Sequence, residues 1–465
     1  MPRRSTLTSL AALAATTALI ASLIAGVSAV RHALRGVREA RAPESPALAP
    51  AVLQAGSARP EEAGKTPTAP LVGLDLSRIG SDAAGLVAPT GAGTARLTVD
   101  PELQRIALGL MSAHHLPEAA VVLMDVATGK LLVYASHLDK GAPRDLCAEA
   151  TAPSASVFKI VTAAALLEDA HLGPDTQQCY SGGESRINAI DLVDDPRRDR
   201  WCTTLAGAMG RSINTVFARL AGQRLVPPQL EAMARRFGYG EGVPFDVPVQ
   251  PGELHVPSEP LDFARTAAGF WNTTLSPVQA AEMSAIVARG GETVRPAIVE
   301  RVVSPAGAVI WSAPAESASH RAVARETAEA LTTMMDHTVS EGTSWRAFHD
   351  PHGTAFLPGI EVAGKTGTLT DNEAHRYYTW FTGFAPARPT RGQAPAQAPD
   401  QSPDQAPGVR QVAVAALVVN GPAWQVKANL VAREVLRAYF ASQGAEGVTR
   451  PSIAEVARRT RPHAP

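Results

Sequence analysis

Three short patterns bring hydroxyl groups and lysines together. In Ser156-Val157-Phe158-Lys159 a serine and a lysine stand three residues apart, a spacing that places two side chains on one helix face. Pro153 and Ser154 precede the strongly apolar stretch Val157 to Glu168, so Ser156 is expected at the first turn of a helix. A serine hydroxyl becomes a nucleophile only with a base beside it. Lysine serves as that base only when neutral. Val157, Phe158, Ile160, Val161 and the run Ala163 to Leu167 predict a buried lysine, and burial disfavours the ammonium. A helix N-terminus also offers amide N–H groups to an oxyanion. The bland alternative is an N-cap serine and a lysine that snorkels to solvent.

Ser212-Ile213-Asn214 opens the apolar segment Thr215 to Leu220. A hydroxyl there can relay a proton to a leaving group, and Asn214 can orient Lys159 and bind an amide. Helix capping is the alternative. Lys365-Thr366-Gly367-Thr368 lies in the strand pattern Glu361 to Leu369. Gly364 and Gly367 remove side chains where another backbone can approach, so an extended peptide can add along this edge. Lys365 offers a cation to a carboxylate, Thr366 and Thr368 offer hydroxyls, and the Thr368 N–H is a candidate oxyanion donor. An ordinary Gly-rich turn is the alternative here.

The elements around these patterns read as one α/β (α+β) domain. LTVDPELQRIALGLM, from Leu97, gives a short strand and an amphipathic helix, with Asp100 and Pro101 suited to its start. Ala119 to Asp125, a turn at Ala127 to Lys130, and Leu131 to Ala135 form a hairpin signal. Helical patterns recur at Ala206 to Ala221, Pro228 to Phe237, Pro277 to Ala288 and Arg325 to Val339. Strands return at Glu361 to Leu369, Tyr378 to Phe384 and Val412 to Val419, and a last helix is expected at Val426 to Phe440. The Pro/Gln/Ala-rich stretch Pro386 to Val409 reads as a disordered insertion between two strands, and the chain beyond Gly444 as a loose tail. His114 and His115 are expected in solvent, as is the loop with Asp194, Asp195, Arg197, Arg198, Asp199 and Arg200. His375, Arg376, Tyr377 and Tyr378 are candidates for a cleft mouth.

Composition sets the compartment. The chain has 465 residues, 45% hydrophobic, with a formal net charge of -1, which is a size for about two or three domains. No nucleic-acid partner is called for by that charge. Leu7 to Val30 is uncharged and follows Arg3 and Arg4, so residues 1–30 read as an uncleaved signal anchor able to cross a bilayer core of about 30 Å. A signal peptide cleaved near Val27-Ser28-Ala29 is the rival, and a buried soluble helix the third reading. Arg31, Arg35, Arg38 and Arg41 after the run are awkward, because positive flanks prefer the cytoplasm. Residues 31–95, rich in Ala, Pro and Gly, read as a mostly extended tether on which Leu71 to Ile79 can dock. Cys147, Cys179 and Cys202 allow three single pairings and leave one thiol over. No CxxC or HExxH spacing occurs, so neither metal nor cofactor is expected.

The order of the three patterns is the strongest signal. SxxK, SxN and KTG follow one another at a helix start, a helix-flanking loop and a strand, a set that resembles the penicillin-binding protein transpeptidase domain. The resemblance runs from about Leu97 to Ala441 and includes LTVDPELQ, VVLMDVATGKLLVYAS, LSPVQAAEMSAIVARGG and TWFTGFAP. It implies a β-lactamase/transpeptidase-like fold: a central antiparallel sheet with a helical subdomain over residues 96–443, preceded by a single N-terminal transmembrane helix and followed by a tail over 444–465. It also implies roles. Ser156 would be acylated by a peptidoglycan stem peptide ending in D-Ala-D-Ala, with Lys159 as base. Ser212 and Asn214 would assist proton transfer and placement. Lys365, Thr366, Gly367 and Thr368 would form the carboxylate-binding strand. β-Lactams would acylate the same serine, and a cell-wall synthesis complex at the extracytoplasmic side of the membrane would be the setting. Some family members carry a cysteine pair where Cys179 and Cys202 stand, which implies a disulfide there with Cys147 free; three buried thiols is the alternative.

Two features depart from the family. Ala155 precedes the nucleophile where a glycine is frequent, and neither a glycosyltransferase domain nor a sizeable pedestal fits in the residues before Leu97. The expectation is a transpeptidase module on a tether. A D,D-carboxypeptidase or serine β-lactamase keeps the same acylation and changes its fate. SIN lacks the aspartate of the SDN form, and no glutamate can be assigned to deacylation. A β-lactam sensor or cell-wall scaffold is the non-catalytic reading.

Overall fold

The structure is a computed structural model that describes residues 69–183, 186–314, 319–388, 409–422 and 424–452. All of them belong to one compact unit, Glu61–Pro465. The apolar run Leu7 to Val30 lies outside the described residues, as does most of the insertion expected at 386–409. Among the described residues no helix is long and apolar enough to cross a membrane.

The strands are β1 (Gly80–Asp82), β2 (Gly85–Thr90), β3 (Gly93–Leu97), β4 (Glu118–Asp125), β5 (Leu131–Leu138), β6 (Ala152–Pro153), β7 (Gln177–Tyr180), β8 (Trp201–Thr204), β9 (Thr274–Leu275), β10 (Val299–Val303), β11 (Val309–Ser312), β12 (Ala363–Asp371), β13 (Arg376–Ala385) and β14 (Val412–Asn420). The helices are α1 (Pro101–Ala113), α2 (Lys159–Glu168), α3 (Leu205–Arg211), α4 (Asn214–Arg224), α5 (Pro227–Arg236), α6 (Pro260–Ala267), α7 (Pro277–Ala288), α8 (Arg325–Ser340), α9 (Trp345–Phe348) and α10 (Ala428–Ser442).

The central sheet is antiparallel, in the order β12-β13-β14-β4-β5. Side chains alternate between its faces. Val121, Leu123, Val414, Ala416 and Val418 pack with α1 and α10 on one face, while Val122, Met124, Ala413 and Ala415 join the core that holds α2 and α7 on the other. All nine residues of β14 are buried, as a central strand covered on both faces requires. Caps fix the helix starts. Asp100 accepts the N–H groups of Glu102 and Leu103 at 2.8 and 2.9 Å, and Ser276 accepts that of Gln279 at 3.2 Å, each followed by a proline suited to the first turn. In α7 every residue from Pro277 to Val287 is buried.

Several expectations need correction. Residues 69–95 are not an extended tether. They form β1, β2 and most of β3, which join β10 and β11 in a second five-stranded sheet, and Leu71 and Leu76 are buried beneath it. Their Ala/Gly/Pro-rich composition hides strands that are held by backbone pairing rather than by apolar side chains. The segment Ala206 to Ala221 is two helices, because Ser212 takes a left-handed conformation, φ 57°, and Ile213 is extended. The chain just past Gly444 is docked: Val448 packs on the core and Arg450 pairs with Glu102 at 2.5 Å. His114 is buried while its neighbour His115 is exposed.

Candidate active site

The three patterns converge at one edge of the central sheet. Ser156 sits in a 3-10 turn, Ala155–Phe158, that leads into α2. Lys159, the first residue of α2, turns back along the same face, with its Nζ 2.8 Å from Ser156 Oγ. Nζ also meets Asn214 Oδ1 at 2.6 Å and the Ala268 carbonyl. Asn214 Oδ1 and the Ala268 carbonyl accept hydrogen bonds and donate none. A neutral amine has two N–H groups, which these two acceptors satisfy, and its lone pair is then left facing the Ser156 hydroxyl.

Burial enforces that neutral state. Lys159 is 0% exposed, and burial, together with the charge of Lys365, pushes its pKa well below the usual lysine range. Lys365 is likewise fully buried, and burial lowers its pKa to about 7. Its Nζ lies 2.9 Å from Ser212 Oγ and 2.8 Å from the Thr366 carbonyl. Hydrogen bonds therefore join Ser156, Lys159 and Asn214 in one group and Ser212 and Lys365 in another. Ser156, Ser212, Asn214 and Thr366 are partly accessible, and Thr368 is exposed. Solvent reaches the hydroxyls and not the lysines.

The break between α3 and α4 makes this convergence possible. A continuous helix would set Ser212 and Asn214 about 200° apart around its axis. The left-handed Ser212 at the end of α3 and the extended Ile213 turn the chain, so that Ser212 faces Lys365 and Asn214 faces Lys159.

Small residues allow the close packing around Ser156. A Cβ on Gly367 would stand 3.2–3.3 Å from Trp380 Cβ, Ala155 Cβ and the Ser154 carbonyl, so β12 lies directly against the nucleophile turn. Trp380 Nε1 donates to the Pro153 carbonyl at 2.9 Å, and Tyr239 donates to Ser154 Oγ at 3.1 Å. Ala155 itself has φ 49°. This left-handed conformation costs a residue with a Cβ about 1–2 kcal/mol. Gly269 has φ 82°, and a Cβ there would stand 2.3 Å from the Ala155 carbonyl. Gly269→Ala is therefore expected to lower unfolding free energy by about 2 kcal/mol or more in a denaturant titration.

Sequence reasoning missed other contributors. The Ala268 carbonyl carries no side-chain signature. Thr343, after α8, meets Thr366 Oγ1 at 2.6 Å through its own hydroxyl, and Gly342 just before it leaves room for the Gly210 carbonyl, which a Cβ there would meet at 2.1 Å. Lys159 Nζ lies 5.6 Å from the centre of the Phe217 ring. The loop expected to be solvated holds Asp199, whose side chain is 4% exposed and pairs with the fully buried Arg219 at 2.6 Å. Among the four candidates for the cleft mouth, Arg376 pairs with Glu118 at 2.6 Å and Tyr377 stacks on Trp424. Cys179 and Cys202 face each other in β7 and β8 and form a disulfide, and Cys147 is a free, buried thiol.

This fold and this convergence of motifs define a class. Residues 119–395 match the penicillin-binding protein transpeptidase domain profile, and the chain belongs to that family. It is 31% identical over 281 residues to peptidoglycan D,D-transpeptidase PbpA of Mycobacterium tuberculosis, a match covering 58% of this chain and 50% of that protein. It is 26% identical over 315 residues to stage V sporulation protein D of Bacillus subtilis, covering 63% and 47%. The chain thus spans about half the length of the curated relatives it matches. The D,D-transpeptidase domain of an Eggerthella lenta peptidoglycan glycosyltransferase superposes with a TM-score of 0.58 at 25% identity, over 75% of this chain and 83% of that one. PBPA from M. tuberculosis superposes at 0.57 and 24% identity, over 75% and 82%, a likeness of fold.

Proposed function

We propose that this chain is a serine D,D-transpeptidase that cross-links peptidoglycan stem peptides through an acyl-Ser156 intermediate. The observation that carries the reading is the buried Lys159 amine 2.8 Å from Ser156 Oγ, its two other contacts both acceptors. Lys159 takes the hydroxyl proton as Ser156 Oγ attacks the carbonyl of the penultimate D-Ala. The peptide C–N bond breaks, the terminal D-Ala leaves with a proton relayed through Ser212, and an ester remains on Ser156. Lys365, Thr366 and Thr368 receive the terminal carboxylate, and the Ser156 and Thr368 N–H groups face the developing oxyanion. An amine of a second stem then attacks the ester, forms the cross-link and restores Ser156.

The D,D-transpeptidase name of the PbpA relatives supports this reading. So does the imipenem acyl-enzyme complex of M. tuberculosis penicillin-binding protein A, which supports β-lactam acylation here. Among the described residues no carboxylate hydrogen-bonds to Ser156, Lys159, Ser212 or Lys365. In the same reading, residues 1–30 anchor the domain at the extracytoplasmic face of the membrane, within reach of a cell-wall synthesis complex.

The test is incubation with a stem pentapeptide and an amine acceptor. Release of D-Ala coupled to cross-linked product is expected. D-Ala release with hydrolysed product alone would make the chain a carboxypeptidase, and a penicilloyl adduct that decays within seconds would make it a β-lactamase.

The second-order acylation rate is also expected to depend on pH with two limbs. It rises as Lys159 loses its proton, and it falls above about 7, where Lys365 loses the charge that attracts the substrate carboxylate. A Lys365→Met variant should lose the alkaline limb, as read from the pH profile of acylation by benzylpenicillin.

A further inference from the structure

Asn214 is the first residue of α4, and that helix has no side-chain N-cap of its own. A helix start without such a cap is fixed by other contacts. The face next to Asn214 supplies the restraint. Thr215 Oγ1 donates to the Gly182 carbonyl at 2.6 Å. Gly183, at φ 72°, makes that approach possible, since a Cβ there would stand 1.9 Å from Thr215 Oγ1.

One turn on, Arg219 is fully buried and donates to the Asp191 and Cys179 carbonyls at 2.9 and 2.8 Å and to Asp194 and Asp199 at 3.1 and 2.6 Å. Thr215 and Arg219 are four residues apart, so they share one helix face. Every one of these acceptors lies in the stretch between Cys179 and Cys202, which the disulfide closes. Asp199 is itself held, by the Asp195 N–H at 2.9 Å and the Ser181 hydroxyl at 3.2 Å.

We propose that the disulfide-closed stretch Cys179–Cys202 clamps α4 in the rotation that aims Asn214 at Lys159, with Arg219 as the positioning residue of the clamp. The inference rests on the reading of Ser156, Lys159 and Asn214 as the reacting group. Asn214 and Thr215 are separated by about 100° around the helix, and a side-chain tip lies about 5 Å from the axis. Turning the helix by roughly 10° then displaces Asn214 Oδ1 by about 1 Å, and misplacement on that scale costs about 10²-fold in rate. Reduction of the disulfide would loosen the Cys179 carbonyl and the Asp199 loop together, so the clamp also makes acylation sensitive to thiols.

The test is stopped-flow acylation of the full chain by a fluorescent penicillin, resolved into the dissociation constant of the initial complex, the limiting acylation rate and the labelled fraction. The proteins are wild type with and without a reductant, Arg219→Lys, Thr215→Val and the double variant Cys179→Ser/Cys202→Ser. The clamp requires the limiting rate to fall about 10–100-fold, with the dissociation constant and labelled fraction little changed. It also requires the acidic limb of the rate profile to move, because Lys159 loses a partner. A purely structural role would instead lower the labelled fraction and leave the rate of the remainder at the wild-type value, which overturns the proposal. Thr215→Val removes one hydrogen bond and no charge, so it decides the matter should Arg219→Lys fail to fold. Wild-type protein that takes no label overturns the proposed function and the clamp with it. Labelled wild type with undiminished variants overturns the clamp alone.

Discussion

Ser156→Ala is expected to abolish covalent labelling by a fluorescent penicillin while leaving the thermal unfolding of the protein close to wild type. Among the described residues two serines pair with lysines, Ser156 with Lys159 at 2.8 Å and Ser212 with Lys365 at 2.9 Å, so the outcome is not fixed by proximity. Helix polarity separates them. Ser156 lies at the N-terminal end of the α2 segment, where the helix dipole stabilises an oxyanion. Ser212 lies at the C-terminal end of α3, where carbonyls face outward, and its own N–H is taken by the Met209 carbonyl at 3.1 Å. Residual labelling of Ser156→Ala at a wild-type rate would assign the chemistry to Ser212 instead.

Lys159→Met is expected to slow acylation by about 10²–10⁴-fold, the usual contribution of a positioned general base. The substitution keeps the apolar volume of a side chain that is already fully buried and removes a buried amine, so the fold should tolerate it. What it leaves behind is Asn214 Oδ1 and the Ala268 carbonyl without their shared donor. The unfolding free energy is therefore expected to drop by about 1–3 kcal/mol. A rate loss far beyond what the labelled fraction explains separates the base from the scaffold. Equal rates for Lys159→Met and wild type would show that another group takes the Ser156 proton.

The site was legible because its signals are local. The hydroxyl and amine of SxxK are one helical turn apart, and KTG sits on a strand whose glycines mark a close approach, so short windows of sequence carry both. What joins the motifs was less legible. The break at Ser212 falls inside an apolar pattern that reads as one helix from Ala206 to Ala221, and the contacts that accompany the turn, with Lys365 and Lys159, are distant in sequence. Asp199 looked like a solvated charge because its pairing with Arg219 spans 20 residues and depends on the loop that encloses them. Strands β1 to β3 were hidden for another reason. Gly85, Ala88, Pro89 and Gly93 have little β propensity, and β3 is held by backbone pairing to β10, some two hundred residues away.

The central claim is that Ser156, made nucleophilic by a neutral Lys159, forms the acyl-enzyme. Its most direct test is to treat the wild-type chain with benzylpenicillin, digest it and locate the penicilloyl group by mass spectrometry. The account requires one adduct per chain, on the peptide containing Ser156 and on that residue. An adduct on Ser212, or folded protein of unchanged mass, would contradict it.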